Sequence, residues 1–301
     1  MKSKQLYRGR FAPSPTGALH LGNVRTALIS WLRAKLSGGE WLLRVDDLDT
    51  PRNRPGSLES LQTDLIWLGL EWDGPLLLQS ERLGLYQEVL DGLRKEGCLY
   101  ACRCSRRQLY QSPRKAEQPR IYPGTCRSLG LNWEPWNGRW PSWRLRVAKA
   151  FHQTSGDVIV QRADGFIAYH LATAVDELSM GITEVVRGLD LAVALPAQLA
   201  VMEALLAHDQ VAKTLSVHHS AGPALSYRHV PLLCDAEGHK LAKRDGGLSL
   251  NSLREQGMSP AQVVGQLASG LELVPDGVEL NAAQLLTELA KQPHSLDRIL
   301  S

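Results

Sequence analysis

The first third of the chain alternates short apolar runs with stretches whose apolar residues recur at helical spacing. Residues 7–12 predict a strand, and the Pro- and Gly-containing segment 13–17 predicts a turn after it. Helical spacing predicts a helix over 21–36, a second apolar run predicts a buried strand over 41–45, and a helical pattern covers 57–68. Strands that alternate with helices in this way are typical of a parallel, doubly wound α/β sheet.

The alternation stops near residue 98 and resumes near residue 158. The segment between is rich in cysteine, arginine, proline and tryptophan, has poor periodicity, and is predicted to be an insertion. The later predicted elements are helices at 169–178 and 196–206, a strand at 229–233, a basic loop at 238–245, and tail helices at 260–267 and 281–290. The predicted divisions of the chain are therefore 1–97, 98–158, 159–245 and 246–301.

The 301-residue sequence favours a cytoplasmic protein that does not enter a membrane. Its longest apolar run, 189–207, is interrupted by charged residues, a proline and a glutamine, and residues 1–5 lack the apolar stretch of a signal peptide. Five cysteines, three of them between Cys98 and Cys104, favour reduced thiols or a bound metal over disulfides in such a protein.

Positive charge is concentrated in one segment, although the net charge of the chain is only +3. Residues 100–127 carry seven basic residues against a single acid, Glu117, so this segment would attract a phosphate backbone. An arginine-rich, solvated loop explains the same composition. Four tryptophans follow, interleaved with two arginines, which suits either stacking on unpaired RNA bases or packing of the insertion. These residues are Trp133, Trp136, Trp140 and Trp143, with Arg139 and Arg144.

His20, Gly22 and Asn23 lie where the first strand and its loop lead into the first predicted helix. Nucleotides bind to α/β folds outside the carboxyl ends of strands, where the backbone N–H groups of a helix start favour phosphate. An imidazole adds a donor there, and a glycine lets a flat ligand approach. A lone His-x-Gly near a helix start is a weak signal by itself.

A series of motifs makes the signal much more specific. In chain order these are RFAPSPTG (Arg10–Gly17), HLGN (His20–Asn23), RVDDLD (Arg44–Asp49), YHLA (Tyr169–Ala172), MGIT (Met180–Thr183), VRG (Val186–Gly188) and KLAKR (Lys240–Arg244). Together they resemble the signatures of class I aminoacyl-tRNA synthetases in their glutamate-specific form, over residues 7 to about 245. The resemblance implies a Rossmann-like parallel sheet in two halves, 1–97 and 159–245, split by the insertion 98–158 and followed by a small helical appendage, 246–301, with no anticodon-binding domain.

The resemblance also implies an ATP site and a glutamate site. The ATP-binding residues would be His20, Gly22, Asn23, Lys240 and Lys243, with His20 and Lys243 catalytic and Mg²⁺ bound with the ATP. The glutamate-binding residues would be Arg10, Phe11, Ala12, Pro13, Ser14, Asp46, Tyr169 and Arg187. Arginines suit the two carboxylates of glutamate, and Asp46 with Tyr169 suits its ammonium. Two positions depart from the family pattern, since Asp46 replaces a glutamate and Ala242 replaces a serine.

The cysteine pattern of the insertion suggests a metal site. Cys102, Cys104 and Cys126 could supply three thiolates to a tetrahedral zinc, although their spacing suits free buried cysteines equally well. The whole pattern, with Tyr122 as the fourth position, resembles that of the glutamyl-queuosine tRNA(Asp) synthetases, which are short relatives of the glutamyl-tRNA synthetases. The resemblance implies one structural Zn²⁺ per chain on these four residues.

Enzymes of that family form glutamyl-adenylate from ATP and L-glutamate without tRNA, then transfer glutamate to queuosine in the anticodon loop of tRNA(Asp). We expect the same reactions here. The alternatives are a truncated glutamyl-tRNA synthetase that charges the 3′ end of tRNA(Glu), and a non-catalytic paralogue that only binds RNA or glutamate. The zinc pattern and short tail argue against the first alternative, and His20, Lys243 and Arg187 argue against the second.

Overall fold

The structure is a computed structural model, and it describes residues 6–109, 121–216, 225–233, 249–292 and 294–300. Its strands are β1 (Arg8–Phe11), β2 (Glu40–Val45), β3 (Leu77–Leu78), β4 (Leu99–Cys102), β5 (Ser142–Leu145), β6 (Val158–Gln161), β7 (Glu184–Gly188) and β8 (Ser226–Val230). Its helices are α1 (Leu21–Leu36), α2 (Ser57–Trp67), α3 (Leu83–Lys95), α4 (Arg106–Leu109), α5 (Tyr169–Ser179), α6 (Leu195–Ala207), α7 (Asp209–Thr214), α8 (Leu250–Glu255), α9 (Pro260–Ser269) and α10 (Ala282–Ala290). Most predicted elements fall within two residues of these bounds, but the strand predicted at 229–233 begins and ends three residues earlier, as β8.

The chain divides into two compact units. The first unit comprises Met1–Leu78, Ile182–Leu191 and Pro223–Ser301. The second comprises Gln79–Gly181 and Ala192–Gly222. The four predicted divisions of the chain cut across these units in part and stay predictions.

A parallel sheet forms the centre of the first unit. β1, β2 and β3 pair in parallel in that order, and β7 pairs in parallel with β8. β7 runs beside β1, since the N–H of Thr183 donates to the carbonyl of Arg8 at 2.9 Å and the hydroxyl of Tyr7 donates to Glu184 at 2.9 Å. The predicted parallel α/β sheet is therefore confirmed.

The C-terminal helices share the hydrophobic core of this sheet. Leu28 of α1 and Leu43 of β2 lie in one buried cluster with Leu253, Val264 and Leu285 of α8, α9 and α10. α9 and α10 each begin with a capping box, in which Ser259 or Asn281 exchanges hydrogen bonds with the glutamine three residues later. The C-terminal helices and the sheet thus bury apolar surface in the same core, and the hydrophobic effect of that burial stabilises the first unit.

The second unit contains an antiparallel sheet in the order β4–β5–β6, together with helices α3, α5, α6 and α7. Asp176 of α5 is fully buried and accepts hydrogen bonds from Gln79 (2.7 Å), Arg82 (2.8 Å) and Tyr86 (2.9 Å). A buried carboxylate is tolerated only when it is paired and hydrogen-bonded in this way. Asp176 thus ties α5 to the segment that begins α3.

Among the described residues, one helical stretch, Leu189–Ala207, is long and apolar enough by length and composition to cross a membrane, with 28% of its apolar window buried. Core helices of ordinary globular proteins often pass the same test. The expectation that the chain does not enter a membrane therefore stays a prediction.

Candidate active site and metal centre

Three of the predicted glutamate-binding residues lie at the carboxyl ends of neighbouring parallel strands. Arg10 is near the end of β1, Asp46 directly follows β2, and Arg187 is near the end of β7. Ligands of open α/β sheets bind at this edge. The fold of the first unit thus brings Arg10, Asp46 and Arg187, which are far apart in sequence, to one edge of one sheet.

Both arginines are almost completely buried, with 4% of Arg10 and 3% of Arg187 exposed. Arg10 donates from Nη1 to the carbonyl of Val186 at 3.2 Å, and Arg187 donates from Nε to Nε2 of His229 at 3.3 Å. The Arg187 guanidinium also lies 5.0 Å from the ring centroid of Tyr227. These contacts hold the two guanidinium groups in place, and a planar guanidinium suits bidentate recognition of a carboxylate.

Asp46 has a partner that the sequence did not reveal. Arg44, whose side chain is fully buried, donates from Nε and Nη2 to the two carboxylate oxygens of Asp46 at 2.7 and 3.2 Å. The sequence signal was an arginine beside the apolar residues 41–43 of β2, where a buried charge requires a partner. Arg44 fixes the orientation of the Asp46 carboxylate.

The loop after β1 is held against the rest of the first unit. The ring of Phe11 stacks on Trp41 with centroids 6.1 Å apart, and the N–H of Asp46 donates to the carbonyl of Pro13 at 2.9 Å. Ala12 is half-buried and Ser14 is exposed. The predicted loop residues therefore sit next to Asp46.

His20 is the N-cap of α1. Its Nδ1 accepts a hydrogen bond from the N–H of Asn23 at 3.3 Å, which satisfies one of the unpaired donors at the helix start. A Cβ on Gly22 would lie only 3.1 Å from Nδ1 and Cε1 of His20. A side chain at position 22 would therefore push the imidazole aside by a few tenths of an ångström, a reason for glycine that the sequence did not suggest.

Lys240 and Lys243 lie outside the described residues, but both flanks of their segment are anchored at α1. On one side, Arg25 donates from Nη1 to the carbonyls of Pro231 and Leu232, each at 3.3 Å, and from Nη2 to that of Gly270 at 2.6 Å. On the other side, the N–H of Leu250 donates to the carbonyl of Leu19 at 3.0 Å. The chain enters and leaves the basic segment beside the helix that His20 caps.

Tyr169 belongs to the second unit, where it is the first residue of α5. It is 41% exposed, and its ring contacts His170 edge to face with centroids 5.4 Å apart. The predicted role of Tyr169 in binding glutamate therefore stays a prediction.

The four predicted metal ligands converge in the second unit. The three sulfur atoms of Cys102, Cys104 and Cys126 lie within 4.8 Å of one another, with Cys104 and Cys126 3.5 Å apart. The Tyr122 hydroxyl oxygen is 3.5 Å from Cys102 Sγ and 3.6 Å from Cys104 Sγ. A tetrahedral zinc would require sulfur–sulfur separations of about 3.8 Å and sulfur–oxygen separations of about 3.5 Å. The donor set therefore fits a zinc ion.

A buried arginine offsets the negative charge that these donors would carry. Arg144 donates from Nε to Cys102 Sγ at 3.2 Å, and its guanidinium stacks 3.6 Å from the ring centroid of Tyr122. Burial acts to raise the pKa of the Cys102 thiol, but hydrogen bonds from Tyr122 and Arg144 outweigh it, so the pKa is lowered. Burial raises the pKa of Cys104 to about 11, and burial with the hydrogen bond to Cys102 also raises the pKa of Tyr122.

Two neighbouring residues that the sequence did not single out position Tyr122 and Cys126. A Cβ on Gly156 would lie 2.6 Å from the carbonyl oxygen of Tyr122, so only glycine fits there. The buried carboxylate of Asp157 accepts hydrogen bonds from Tyr100 and Arg127, each at 2.6 Å. Nothing in the sequence around Asp157 predicts this role, which became visible only because the fold buries its carboxylate.

Comparison with known proteins identifies the family. The sequence matches the family described as tRNA synthetases class I (E and Q), catalytic domain, over residues 7–132 and 143–269. It is 60% identical to glutamyl-Q tRNA(Asp) synthetase of Prochlorococcus marinus (strain MIT 9303), over 98% of this chain and 92% of that protein. The chain belongs to the glutamyl-Q tRNA(Asp) synthetase family. The relative from Synechococcus sp. (strain CC9605) is 56% identical over 95% of this chain and 90% of its own length.

The glutamyl-Q tRNA(Asp) synthetase fold is also that of a larger solved enzyme. A glutamate tRNA ligase from Elizabethkingia meningosepticum CCUG26117, in complex with its amino acid, superposes with a TM-score of 0.70 at 26% identity. The match covers 94% of this chain but only 64% of the ligase, so the chain spans just under two thirds of that enzyme. The predicted class I synthetase fold and family are confirmed.

Proposed function

We propose that this protein activates L-glutamate with ATP, without needing tRNA, and transfers the glutamyl group to queuosine in the anticodon loop of tRNA(Asp). The observation that carries the proposal is the 60% identity to a glutamyl-Q tRNA(Asp) synthetase over 98% of the chain and 92% of that relative. A match of this extent covers both units, and not only the sheet shared by all class I synthetases. The protein is thus an ATP-dependent ligase of the aminoacyl-tRNA synthetase type.

In the first step, a carboxylate oxygen of glutamate attacks the α-phosphate of ATP. The bond between the α-phosphate and its bridging oxygen to the β-phosphate breaks, and pyrophosphate leaves. Mg²⁺ bound with ATP would supply positive charge to the phosphates. Lys240 and Lys243 are proposed to stabilise the negative charge that develops on the leaving pyrophosphate in the transition state. The anchored flanks of their segment beside α1 support this role.

The proposed role of His20 follows from its hydrogen bond. Because Nδ1 accepts from the N–H of Asn23, a neutral imidazole carries its proton on Nε2. Nε2–H is then a donor for a phosphate oxygen at the start of α1, where the helix dipole also favours negative charge. No proton transfer by His20 is required, since the attacking carboxylate is already ionised.

Glutamate recognition is proposed to rest on Arg10 and Arg187. A planar guanidinium pairs with both oxygens of a carboxylate, whereas a neutral amide satisfies it less well, so these buried arginines would discriminate against glutamine. Asp46 and Tyr169 are proposed to contact the ammonium.

In the second step, a hydroxyl of the cyclopentenediol of queuosine attacks the carbonyl carbon of glutamyl-adenylate. A new ester bond forms, the bond to the phosphate oxygen breaks, AMP leaves, and the hydroxyl proton passes to solvent. No nucleophilic side chain is needed, because binding both reactants side by side lowers the barrier.

We also propose one structural Zn²⁺ on Cys102, Cys104, Cys126 and Tyr122, supported by the match between their separations and a tetrahedral site. The ion would crosslink β4 to the segment 122–126 and supply no group to either reaction. A cytoplasmic location and the absence of membrane contact are further parts of the proposal, since glutamate, ATP and tRNA are all soluble substrates.

The deciding experiment supplies ATP, Mg²⁺ and radiolabelled glutamate with tRNA from cells that make queuosine and from cells that cannot. Each tRNA is used intact and after removal of its 3′-terminal adenosine. Label is expected only on queuosine-containing tRNA, and it should survive removal of the adenosine. Equal labelling of both tRNAs that is lost with the adenosine would instead establish charging of a 3′ end.

Amino-acid-dependent exchange of pyrophosphate into ATP tests the first step separately, because it requires no RNA. Exchange with glutamate and not with glutamine is expected. If no amino acid supports exchange at saturating ATP, the protein is a non-catalytic paralogue and the proposal is wrong.

A further inference from the structure

The four tryptophans of the insertion fall into two pairs with different environments. Trp133 and Trp143 are half-buried, contact each other edge to face at 4.9 Å, and lie 4.5 and 5.2 Å from the guanidinium of Arg94. This pair packs the insertion against α3. Trp136 and Trp140, in contrast, are 61% and 56% exposed, although exposing an indole to water is unfavourable.

A tight hairpin turn holds the first of the exposed tryptophans. Trp136 and Arg139 exchange both backbone hydrogen bonds, at 3.0 and 3.1 Å, around the two-residue turn Asn137–Gly138. Both turn residues have positive φ, 51° and 72°, as a type I′ turn requires. Directly paired residues of a hairpin point to the same face, so Trp136 and Arg139 stand side by side.

Arg103 approaches the same hairpin from β4. Its guanidinium lies 5.8 Å from the ring centroid of Trp136, and its Nη2 donates to the carbonyl of Glu134 at 3.1 Å and to the side-chain oxygen of Asn132. Arg103 stands between Cys102 and Cys104, so the turn that brings the two thiols together also fixes its backbone. The arginine is therefore positioned, not solvated at random.

These side chains line an open cavity of about 170 Å³. Trp136, Trp140, Arg103 and Arg139 form most of its wall, and Ala163 contributes a small side chain. Within the described part of the chain, the cavity lining contains two cations and no carboxylate. Two indole faces beside two guanidinium groups match the chemistry of an unpaired nucleobase with its phosphate, because bases stack on indoles and arginines pair with phosphates.

We propose that Trp136, Trp140, Arg103 and Arg139 form a stacking site for an unpaired nucleobase of the RNA substrate. The inference rests on the proposed function, which requires the protein to hold an anticodon loop. The site would bind the loop through stacking and phosphate contacts and would take no part in amino acid activation. Trp133 and Trp143 would have no part in it beyond packing.

The test measures binding of a fluorescent anticodon stem-loop RNA, and of a fully paired RNA of equal length, by anisotropy. The variants are Trp136→Ala, Trp136→Phe and the double variant Trp136→Ala with Trp140→Ala. Ile66→Ala is the matched control, since Ile66 is also 61% exposed. Urea unfolding and zinc content of each variant establish that it folds as the wild type does.

Trp136→Ala should weaken stem-loop binding by about fivefold to a hundredfold. Trp136→Phe should bind with an affinity between those of Trp136→Ala and the wild type, and Ile66→Ala should bind as the wild type does. Binding of the paired RNA should not depend on Trp136. In the transfer reaction, the KM for tRNA should rise by the same factor while kcat stays within about twofold.

The proposal is overturned if the folded double variant binds the stem-loop as tightly as the wild type does. It is also overturned if the double variant loses affinity equally for the stem-loop and for the fully paired RNA, because that would indicate contacts with the RNA backbone alone. Failure of the proposed function looks different: the wild type would then transfer no glutamate to queuosine-containing tRNA, whether or not stem-loop binding depends on Trp136.

Discussion

Replacing Tyr122 with phenylalanine tests the metal centre most directly. The change removes the hydroxyl that lies 3.5 Å from Cys102 Sγ and 3.6 Å from Cys104 Sγ, while the ring that stacks under Arg144 remains. It also removes the acceptor of a 2.8 Å hydrogen bond from the N–H of Cys126. Two separate losses are therefore expected.

The two losses differ in size and in their dependence on metal. A buried N–H without an acceptor costs about 1–3 kcal/mol, and this cost applies with or without metal. Structural zinc sites bind with about 10–16 kcal/mol, so one ligand of four corresponds to roughly 2.5–4 kcal/mol. Zinc affinity should accordingly fall roughly a hundredfold to a thousandfold in Tyr122→Phe.

The assay is competition for zinc with a chromophoric chelator, combined with urea unfolding of the metal-free and zinc-loaded protein. Tyr86→Phe is the matched control, since Tyr86 is fully buried and donates its hydroxyl to Asp176 at 2.9 Å. The control should lose stability but keep the zinc affinity of the wild type. Equal zinc affinity of Tyr122→Phe and the wild type would refute the assignment of Tyr122 as a ligand.

Three further variants probe other parts of the molecule. Gly22→Ala should slow glutamate-dependent pyrophosphate exchange about tenfold, because its Cβ displaces the His20 imidazole; an unchanged rate would contradict this. Asp176→Ala should lower the free energy of unfolding by about 3–5 kcal/mol in urea, and a loss below about 1 kcal/mol would contradict it. Asp73 has a lowered pKa, since hydrogen bonds from Lys35 and the Trp41 N–H outweigh burial. Because the pKa of Asp73 is lower in the folded than in the unfolded protein, the unfolded protein binds more protons as the pH falls. The contribution of Asp73 to the free energy of unfolding is therefore present above about pH 4 and is lost on acidification. Asp73→Asn should flatten that pH dependence, and parallel curves would refute this.

The elements of the first unit could be predicted from sequence because their signals are local. Helical spacing over 21–36 and an apolar run over 41–45 gave α1 and β2 almost to the residue. The antiparallel strands β4, β5 and β6 of the second unit were missed, since they lie in or at the end of the cysteine-, arginine- and tryptophan-rich segment, where no alternation of strands and helices marks them. Their pairing partners are also more than 10 residues apart along the chain, so no local signal links one strand to the next.

The sequence motifs predict residues that would touch ligands, whereas the residues that hold those side chains and segments in position were missed. Arg25, Asp157 and Gly156 act through contacts with segments 30 to more than 200 residues away. An arginine in an amphipathic helix or a glycine in a loop has many ordinary roles, and only the fold reveals which atoms face it. The motif residues were accessible because several of them recur together in a fixed order.

The pairing of Arg44 with Asp46 changes how selectivity for glutamate must arise. Asp46 was expected to attract the ammonium, but the Arg44 guanidinium neutralises its charge at 2.7 and 3.2 Å. A neutral pair offers an ammonium a dipole and a hydrogen-bond acceptor, which is weaker than a lone carboxylate. Arg10 and Arg187 place two buried guanidinium groups at the same edge of the sheet, held by hydrogen bonds to the carbonyl of Val186 and to His229, and planar guanidinium groups bind carboxylates in bidentate fashion. Most of the discrimination should therefore come from the carboxylates of the substrate, so that glutamate is preferred over glutamine more strongly than over an amino acid altered only at its ammonium.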